Sequence, residues 1–309
     1  MEDVMTARVA VFGASGFVGS AVVDRLREHG ASVIPLAAPR IRGTIGAESP
    51  DDSAISAVAE VLEDATIVVN AAGISDALSL DGDALDGANG LLPGLLARAC
   101  ARRQARFVHV SSASVQGDLP LDATESYAPF SPYSRSKVIG EQAVLSGAGE
   151  VCVFRPPGVH DPTRRVTQSV IRLARSPMSS VAAPGNDNAP HAQLVNVADA
   201  TAFIALYPGA VPRIVTMPSE GVDVAMLMTA FGQHPPHLIP RRVARMITSS
   251  ARWAGSAHER VAGHARRLEI LWFGQPQADS WLTDVHWSPP SGTDGWARMS
   301  FLPDQEDNR

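Results

Sequence analysis

The chain has 309 residues and a mass of 32.6 kDa, enough to bury a full core in one large unit or in a large unit with a smaller companion. Its 26 basic and 32 acidic residues give a formal net charge of -6, without an arginine-rich tail or a block of like charge, which argues against nucleic acid as a partner. No apolar run approaches bilayer length, and the N-terminal residues lack the basic start, apolar stretch and cleavage site of a secretion signal. A soluble, cytoplasmic protein with no membrane partner is expected.

Short apolar runs alternate with helix-like stretches through the first half, the pattern of a parallel sheet covered on both faces. Arg8 to Phe12 reads as a strand, Gly16 to His29 as a helix, Ser32 to Leu36 as a strand, Asp51 to Glu63 as a helix and Thr66 to Asn70 as a strand. A long helix over Leu85 to Arg103, a strand over Arg106 to Ser111, a helix over Tyr133 to Leu145 and a strand over Val151 to Arg155 complete that half. The expected fold class is α/β, a doubly wound (Rossmann) parallel sheet.

Beyond Arg155 the prolines 156, 157, 162, 177, 184 and 190, with Gly185-Asn186-Asp187-Asn188, break the pattern into loop-rich segments of the kind that face ligands. Strand and helix resume over Ala192 to Tyr207, a strand over Arg213 to Met217 and a helix over Val222 to Phe231. Arg241 to Arg267 is helical and studded with arginine: a solvated face, with anion binding as the alternative. Trp253, Trp272, Trp281, Trp287 and Trp296 read as core packing, with part of a sugar-binding surface as the alternative. Cys100 and Cys152 fall in a helix and a buried strand and read as reduced core thiols. The nine histidines show no metal-ligand spacing, and no metal is expected.

Between the first strand and the first helix lies Gly13-Ala14-Ser15-Gly16-Phe17-Val18-Gly19. Gly13 suits a tight turn with positive φ, Gly16 lets a pyrophosphate approach the backbone, and Gly19 lets helix and strand pack closely. Exposed amides and the helix dipole favour the phosphates, so this turn points to a dinucleotide. An enzyme that uses NAD places a carboxylate about twenty residues on, against the adenosine ribose. Here that stretch reads Leu36-Ala37-Ala38-Pro39-Arg40-Ile41-Arg42, with two guanidiniums in reach of a 2′-phosphate. NADP(H) is favoured, with NAD(H) the alternative. Residues 1–155 are therefore assigned to a dinucleotide-binding domain and 156–309 mainly to a smaller C-terminal substrate-binding region, with 192–217 returning to the first.

Lys137 is the only lysine; every other basic residue is arginine. It follows Tyr133 by four residues, which places both on one helix face, a turn apart. A free tyrosine, with a pKa near 10, is a poor proton relay at neutral pH, and a neighbouring ammonium favours its phenolate. Lysine also presents a compact charge where a planar guanidinium would not serve. Upstream, the strand at Arg106 ends in Ser111-Ser112-Ala113-Ser114, and a hydroxyl at the carboxyl end of such a strand faces the ligand crevice. Ser112 is the candidate to hold a substrate carbonyl. His109 reads as a core strand residue.

Together these residues resemble the extended short-chain dehydrogenase/reductase family, whose members include nucleotide-sugar epimerases, dehydratases and ketoreductases. The resemblance runs in order through the glycine turn, Val69-Asn70-Ala71-Ala72-Gly73, Asn89, Val110 to Gly117, Tyr133 to Lys137, Arg155-Pro156-Pro157-Gly158-Val159-His160 and Val195 to Ala200. It implies that Ser112, Tyr133 and Lys137 are catalytic. It further implies that Gly13, Ser15, Gly16, Phe17, Val18, Gly19, Arg40, Ala71, Ala72, Gly73, Pro156 and Val159 join Tyr133 and Lys137 in holding the cofactor. A homodimer through the helices at Leu85 to Arg103 and Tyr133 is implied too.

Two departures narrow the reaction. The family's dehydratases carry an Asp-Glu pair after the serine position, where this chain has Ala113-Ser114; its epimerases carry an acid after the second strand, where this chain has Arg40. The segments around Ser112 and Tyr133 are similar to those of dTDP-4-keto-6-deoxyhexose 4-ketoreductases of deoxysugar biosynthesis. The resemblance thus implies a nucleotide-sugar substrate, whose diphosphate Arg164, Arg165, Arg172 and Arg175 could meet, with an exposed helix face as the equal alternative reading of these four. The alternatives are a nucleotide-sugar 4-epimerase, another carbonyl reductase of the family, or a non-catalytic protein that senses NAD(P).

Overall fold

Arg8–Phe12, Ile67–Asn70, Arg106–Val110 and Val151–Arg155 are runs of β-branched and aromatic residues buried along almost their whole length, as strands covered on both faces must be. With Ser32–Leu36 and Ile214–Thr216 they form one parallel sheet. Its strand order is Ser32–Leu36, Arg8–Phe12, Ile67–Asn70, Arg106–Val110, Val151–Arg155, Ile214–Thr216. The order reverses direction beside Arg8–Phe12, and a crevice for ligands opens at the carboxyl ends of the strands at such a point. The α/β, doubly wound class expected from the sequence is the class observed.

The computed structural model describes residues 7–43, 52–75, 79, 81–255 and 259–300. It divides the chain into two compact units. The first comprises Met1–Pro157, Val195–Pro218 and Ala278–Ser288. On one side of its sheet, helices Asp52–Val61, Leu92–Arg103 and Pro132–Leu145 share a core in which Leu62, Leu92, Leu96, Phe107 and Val153 are buried. The late segment is tied in by Asp199 of helix Leu194–Leu206, whose carboxylate accepts from Trp287 Nε1 at 2.9 Å and from Arg25 Nε at 3.1 Å.

The second unit comprises Gly158–Leu194, Ser219–Gln277 and Pro289–Arg309. It contains two small parallel sheets, Gly158–His160 with His191–Gln193 and Ser180–Ala182 with His237–Ile239. Helices Arg165–Arg175, Val224–Gly232, Arg241–Gly255, Glu259–Phe273 and Asp294–Ser300 accompany them. Trp296 and Phe231 are fully buried at the centre of its core.

Three expectations change in detail. The helix foreseen from Leu85 starts at Gly82, capped by Asp81, and runs through a π-helical segment, Asp86–Leu91, before Leu92–Arg103. Glycines permit this: a Cβ on Gly87 would stand 1.9 Å from the Ile41 carbonyl oxygen. The stretch from Arg241 is two helices, the first ending at Gly255. The helix foreseen from Asp51 begins at Asp52, position 51 lying outside the described residues. Four of the five tryptophans are buried or half-buried, whereas Trp253 is exposed. Both cysteines are free and buried, and burial pushes the Cys100 thiol up to about 12. Among the described residues no helix is long and apolar enough to cross a membrane.

Helix Pro132–Leu145 approaches the π segment so closely that a Cβ on Gly140 would stand 2.0 Å from the Asn89 carbonyl oxygen. Gly140→Ala is expected to lower the unfolding free energy by roughly 1–3 kcal/mol, the usual cost of overpacking, as measured by urea titration.

Candidate active site

Gly13 has φ 78°, and a Cβ there would lie 2.6 Å from the Ala72 nitrogen, so the glycine turn sits directly on the end of the third strand. A Cβ on Gly19 would lie 2.0 Å from the Gly13 carbonyl, which brings the first helix onto the same turn. Gly16 is the N-cap of helix Phe17–Glu28 and brings no side chain to cap it. Ser15 stands just before the opening turn of this helix, and Phe17, Val18 and Gly19 lie within it, at the end where the helix dipole favours an anion. The residues present fit a dinucleotide pyrophosphate, because glycines at 13 and 19 let strand end, turn and helix start close on one another with backbone alone.

Beyond the third strand, Ala71, Ala72 and Gly73 continue this small-residue surface. A Cβ on Gly73 would stand 3.3 Å from Lys137 Nζ and 2.6 Å from Asn89 Oδ1. Lys137 is buried, and its ammonium donates to the Val110 carbonyl at 3.3 Å, two residues before Ser112. The sole lysine thus marks the point where the third strand's end, the fourth strand's end and the tyrosine helix meet. Burial lowers its pKa to about 8, against the opposing pull of the Glu141 carboxylate.

Helix Pro132–Leu145 begins at a capping box, with Ser131 Oγ accepting from the Ser134 amide and the Ser134 hydroxyl turned back to the Ser131 amide. That fixes the half-buried Tyr133 in the first turn, one turn before Lys137. Ser112 is half-buried at the end of its strand, where its hydroxyl accepts from the Ser114 amide at 3.2 Å and caps the 3-10 turn Ala113–Gln116. Asn89 accepts from the Ile74 amide at 3.0 Å, donates to the Ile74 carbonyl at 3.1 Å, and donates to Ser136 Oγ at 3.1 Å. Ser136 in turn donates to the Tyr133 carbonyl at 2.8 Å.

A second shared element did not emerge from the sequence. Glu141, one turn beyond Lys137, is fully buried; it accepts from Ser111 Oγ at 2.5 Å and from Arg155 Nη2 at 2.6 Å. Arg155 spends its remaining donors on the Thr124 and Asp122 carbonyls. This pair locks the tyrosine helix to the strands on either side of Ser112. The available signal was an acidic residue four positions beyond Lys137, on the same helix face.

His109 lies in register with Asn70 on the neighbouring strand. Asn70 Oδ1 accepts the Ala72 amide at 3.1 Å, so its amide nitrogen donates to His109 Nδ1 at 3.1 Å, which leaves the ring proton on Nε2. Burial, reinforced by the charge of Lys137, holds this histidine neutral.

The arginines after the second strand part company. Arg42 is committed to the Asp81 carboxylate at 2.9 and 3.1 Å, whereas Arg40 is exposed, with no ion-pair partner among the described residues. The turn and this stretch are linked by the Gly13 amide donating to the Leu36 carbonyl at 3.3 Å. Pro156 is buried in the first unit and accepts the Ala113 amide at 2.9 Å. Val159 lies in the second unit, in strand Gly158–His160, with Arg164 donating to its carbonyl at 2.8 Å. Arg172 folds back on Gln168 and Ser169, and Arg175 caps the Ser300 carbonyl.

The sequence pattern of the NAD dependent epimerase/dehydratase family matches residues 9–207. The chain belongs to this family. Its curated relatives include the dTDP-4-dehydrorhamnose reductase of Mycolicibacterium smegmatis, 29% identical over 164 residues, which are 51% of this chain and 47% of that protein. The dTDP-4-dehydrorhamnose reductase of Mycobacterium tuberculosis is 32% identical over 165 residues, 50% of each chain. The chain thus spans about half the length of the curated relatives it matches. Among solved structures, the dTDP-4-dehydrorhamnose reductase of Bacillus anthracis in complex with NADP superposes with a TM-score of 0.56 at 20% identity, covering 76% of this chain and 84% of that one. The UDP-glucuronic acid 4-epimerase of Bacillus cereus in complex with NAD gives 0.61 at 16% identity, over 94% and 96%. At such identities the likeness shows the shared fold.

Two measurements check the buried charges. Because the chain has one lysine, protein labelled at the lysine ε-carbon gives a single side-chain resonance, expected to titrate near 8 rather than near the ordinary 10.4. Glu141→Gln removes the group that raises this pKa, so the midpoint falls further. It also leaves the Arg155 guanidinium buried without its counter-charge, and urea unfolding is expected to show a loss of about 3 kcal/mol.

Proposed function

We propose that this chain is an NADPH-dependent reductase that converts the 4-keto group of a dTDP-linked 6-deoxyhexose to a hydroxyl. The observation that carries the reading is the position of Lys137. Its ammonium lies under Gly73 and against the Val110 carbonyl, between the glycine cradle and the strand end that presents Ser112. The substrate class is supported by the relatives named dTDP-4-dehydrorhamnose reductase and by Ala113-Ser114 where dehydration chemistry would need two carboxylates. A cytoplasmic setting suits both the cofactor and a nucleotide-linked sugar.

The cofactor, when bound, supplies the hydride for the ketone carbon. Gly13, Ser15, Gly16, Phe17, Val18 and Gly19 would hold its pyrophosphate, and Ala71, Ala72 and Gly73 would form the flat backbone surface beside it. Arg40 would meet the 2′-phosphate, and Pro156 and Val159 would complete the cofactor contacts. Ser112 donates a hydrogen bond to the ketone oxygen and holds it for the tyrosine. As negative charge grows on that oxygen, Tyr133 passes its phenolic proton to it, and solvent later restores the proton. Lys137 stabilises the phenolate left behind, and the Val110 carbonyl together with the Glu141 carboxylate holds the ammonium in place and charged.

The test follows nicotinamide absorbance while a dTDP-4-keto-6-deoxyglucose pool, equilibrated with its C3 and C5 epimers, is turned over. NADPH is expected to be consumed in preference to NADH. Tyr133→Phe is expected to lower kcat by about 100-fold or more, the usual contribution of a general acid. Arg40→Ala is expected to raise KM for NADPH about tenfold and leave that for NADH unchanged, as loss of one charge-assisted contact predicts. Folded protein that consumes neither cofactor overturns the substrate assignment, and an unchanged NADPH constant in Arg40→Ala overturns the role of that arginine.

A further inference from the structure

Helix Arg241–Gly255 is amphipathic in the wrong sense for a helix that meets only water. Its core-facing positions carry small residues, with Ala244 and Thr248 buried and Ala251 half-buried. Its outward positions carry large apolar ones: Val243 is 41% exposed, Met246 64%, Ile247 40% and Trp253 83%. At 100° per residue these four fall with Ser250 within an arc of about 120°, with Trp253 and Met246 opposite the buried face and Ile247 at its border. A lone exposed apolar residue needs no explanation, but a stripe along three turns does.

The charges around the stripe indicate what covers it. Segment 241–273 holds seven arginines against two acids, Glu259 and Glu269, in a chain whose net charge is -6. Arg242 borders the stripe, and Arg245 and Arg252 continue round the same exposed side of the helix, Arg252 pairing with Glu269 at 3.4 Å. Arg241 is occupied by Asp187, whereas Arg242 and Arg245 have no ion-pair partner among the described residues. We propose that this helix is a peripheral docking surface for an anionic lipid bilayer, with the stripe set into the headgroup boundary and the arginines against lipid phosphates. A second copy of the chain fits poorly, because a symmetric pairing would bring like-charged arginine rows together. A nucleic acid would satisfy the guanidiniums but leave the aliphatic side chains unmet. The expectation of no membrane partner drew on the absence of a spanning segment, which a helix lying in the interface does not need.

The test is sedimentation of the full chain with vesicles of phosphatidylcholine alone or with about 30 mol% phosphatidylglycerol. Binding is expected to the anionic vesicles alone and to fall as salt is raised to about 0.5 M, where exposed charges are screened. The double variant Met246→Ser/Trp253→Ser is expected to bind about tenfold more weakly, and Arg242→Glu/Arg245→Glu to lose binding. Vesicles carrying brominated acyl chains are expected to quench tryptophan emission of the unaltered protein, a readout that needs no variant. The proposal is overturned if folded protein ignores anionic vesicles at low salt, or if binding is indifferent to the serine pair. Retention on polyglutamate resin without vesicle binding would overturn it in favour of an acidic protein partner.

Discussion

A buried ammonium loses hydration that only fixed protein dipoles and charges can replace, and the first unit is organised around one such group. Lys137 reaches the Val110 carbonyl, and the carboxylate that favours its charged form, Glu141, stands one turn further along the same helix. Glu141 needs a partner in its turn and finds it in Arg155, itself fully buried and saturated by backbone carbonyls. The sequence of compensations runs from the sheet through the helix and back. Neither helix nor strand can shift without stranding a charge. His109 completes the arrangement by being neutral: burial and the nearby Lys137 charge keep its pKa well below the usual value, and Asn70 donates to its Nδ1.

The surroundings of that cation are made largely of backbone. Gly13 rests on Ala72, Gly19 on Gly13, Gly87 on Ile41 and Gly140 on Asn89, each at a distance that a Cβ would close. Side chains in those places would hold the segments apart, and at Gly73 a Cβ would press on the ammonium itself at 3.3 Å. Close backbone approach supplies the carbonyls and amides that a low-dielectric site needs. It also leaves the smooth, small-residue surface on which a planar ligand can lie. The π-helical segment Asp86–Leu91 belongs to the same economy of space, because it carries Asn89 to the backbone of Ile74 while its glycines let Ile41 and the tyrosine helix pass close by.

What could be read from the sequence was what local spacing encodes. The glycine turn, the alternation of buried strands and the four-residue step from Tyr133 to Lys137 lie within short windows, and so does the hydroxyl at a strand end. Partnerships across the chain left no local mark. Glu141 and Arg155 are 14 positions apart, Asn70 and His109 are 39 apart, and Asp199 meets Trp287 88 positions away. The late return of Ala278–Ser288 to the first unit was invisible for the same reason, since a tryptophan in a polar stretch says nothing of the carboxylate it will find. Arg164 and Arg175, read either as partners of a diphosphate or as an exposed helix face, each donate to a backbone carbonyl of their own unit, a pairing that left no mark in the sequence.

Arg40 and Arg42 show how such distant pairings decide chemistry. In sequence they are equivalent, two guanidiniums after the second strand where a carboxylate would select NAD. In the fold Arg42 Nη2 donates to both oxygens of Asp81, whereas Arg40 has no ion-pair partner among the described residues. Asp81 also caps the following helix through the Ala84 amide, and that bond together with Arg42 lowers its pKa. A single acid, placed by the helix it caps, thereby distinguishes two arginines that the sequence leaves equivalent, and Arg40 is the one that the proposed function sets against the 2′-phosphate.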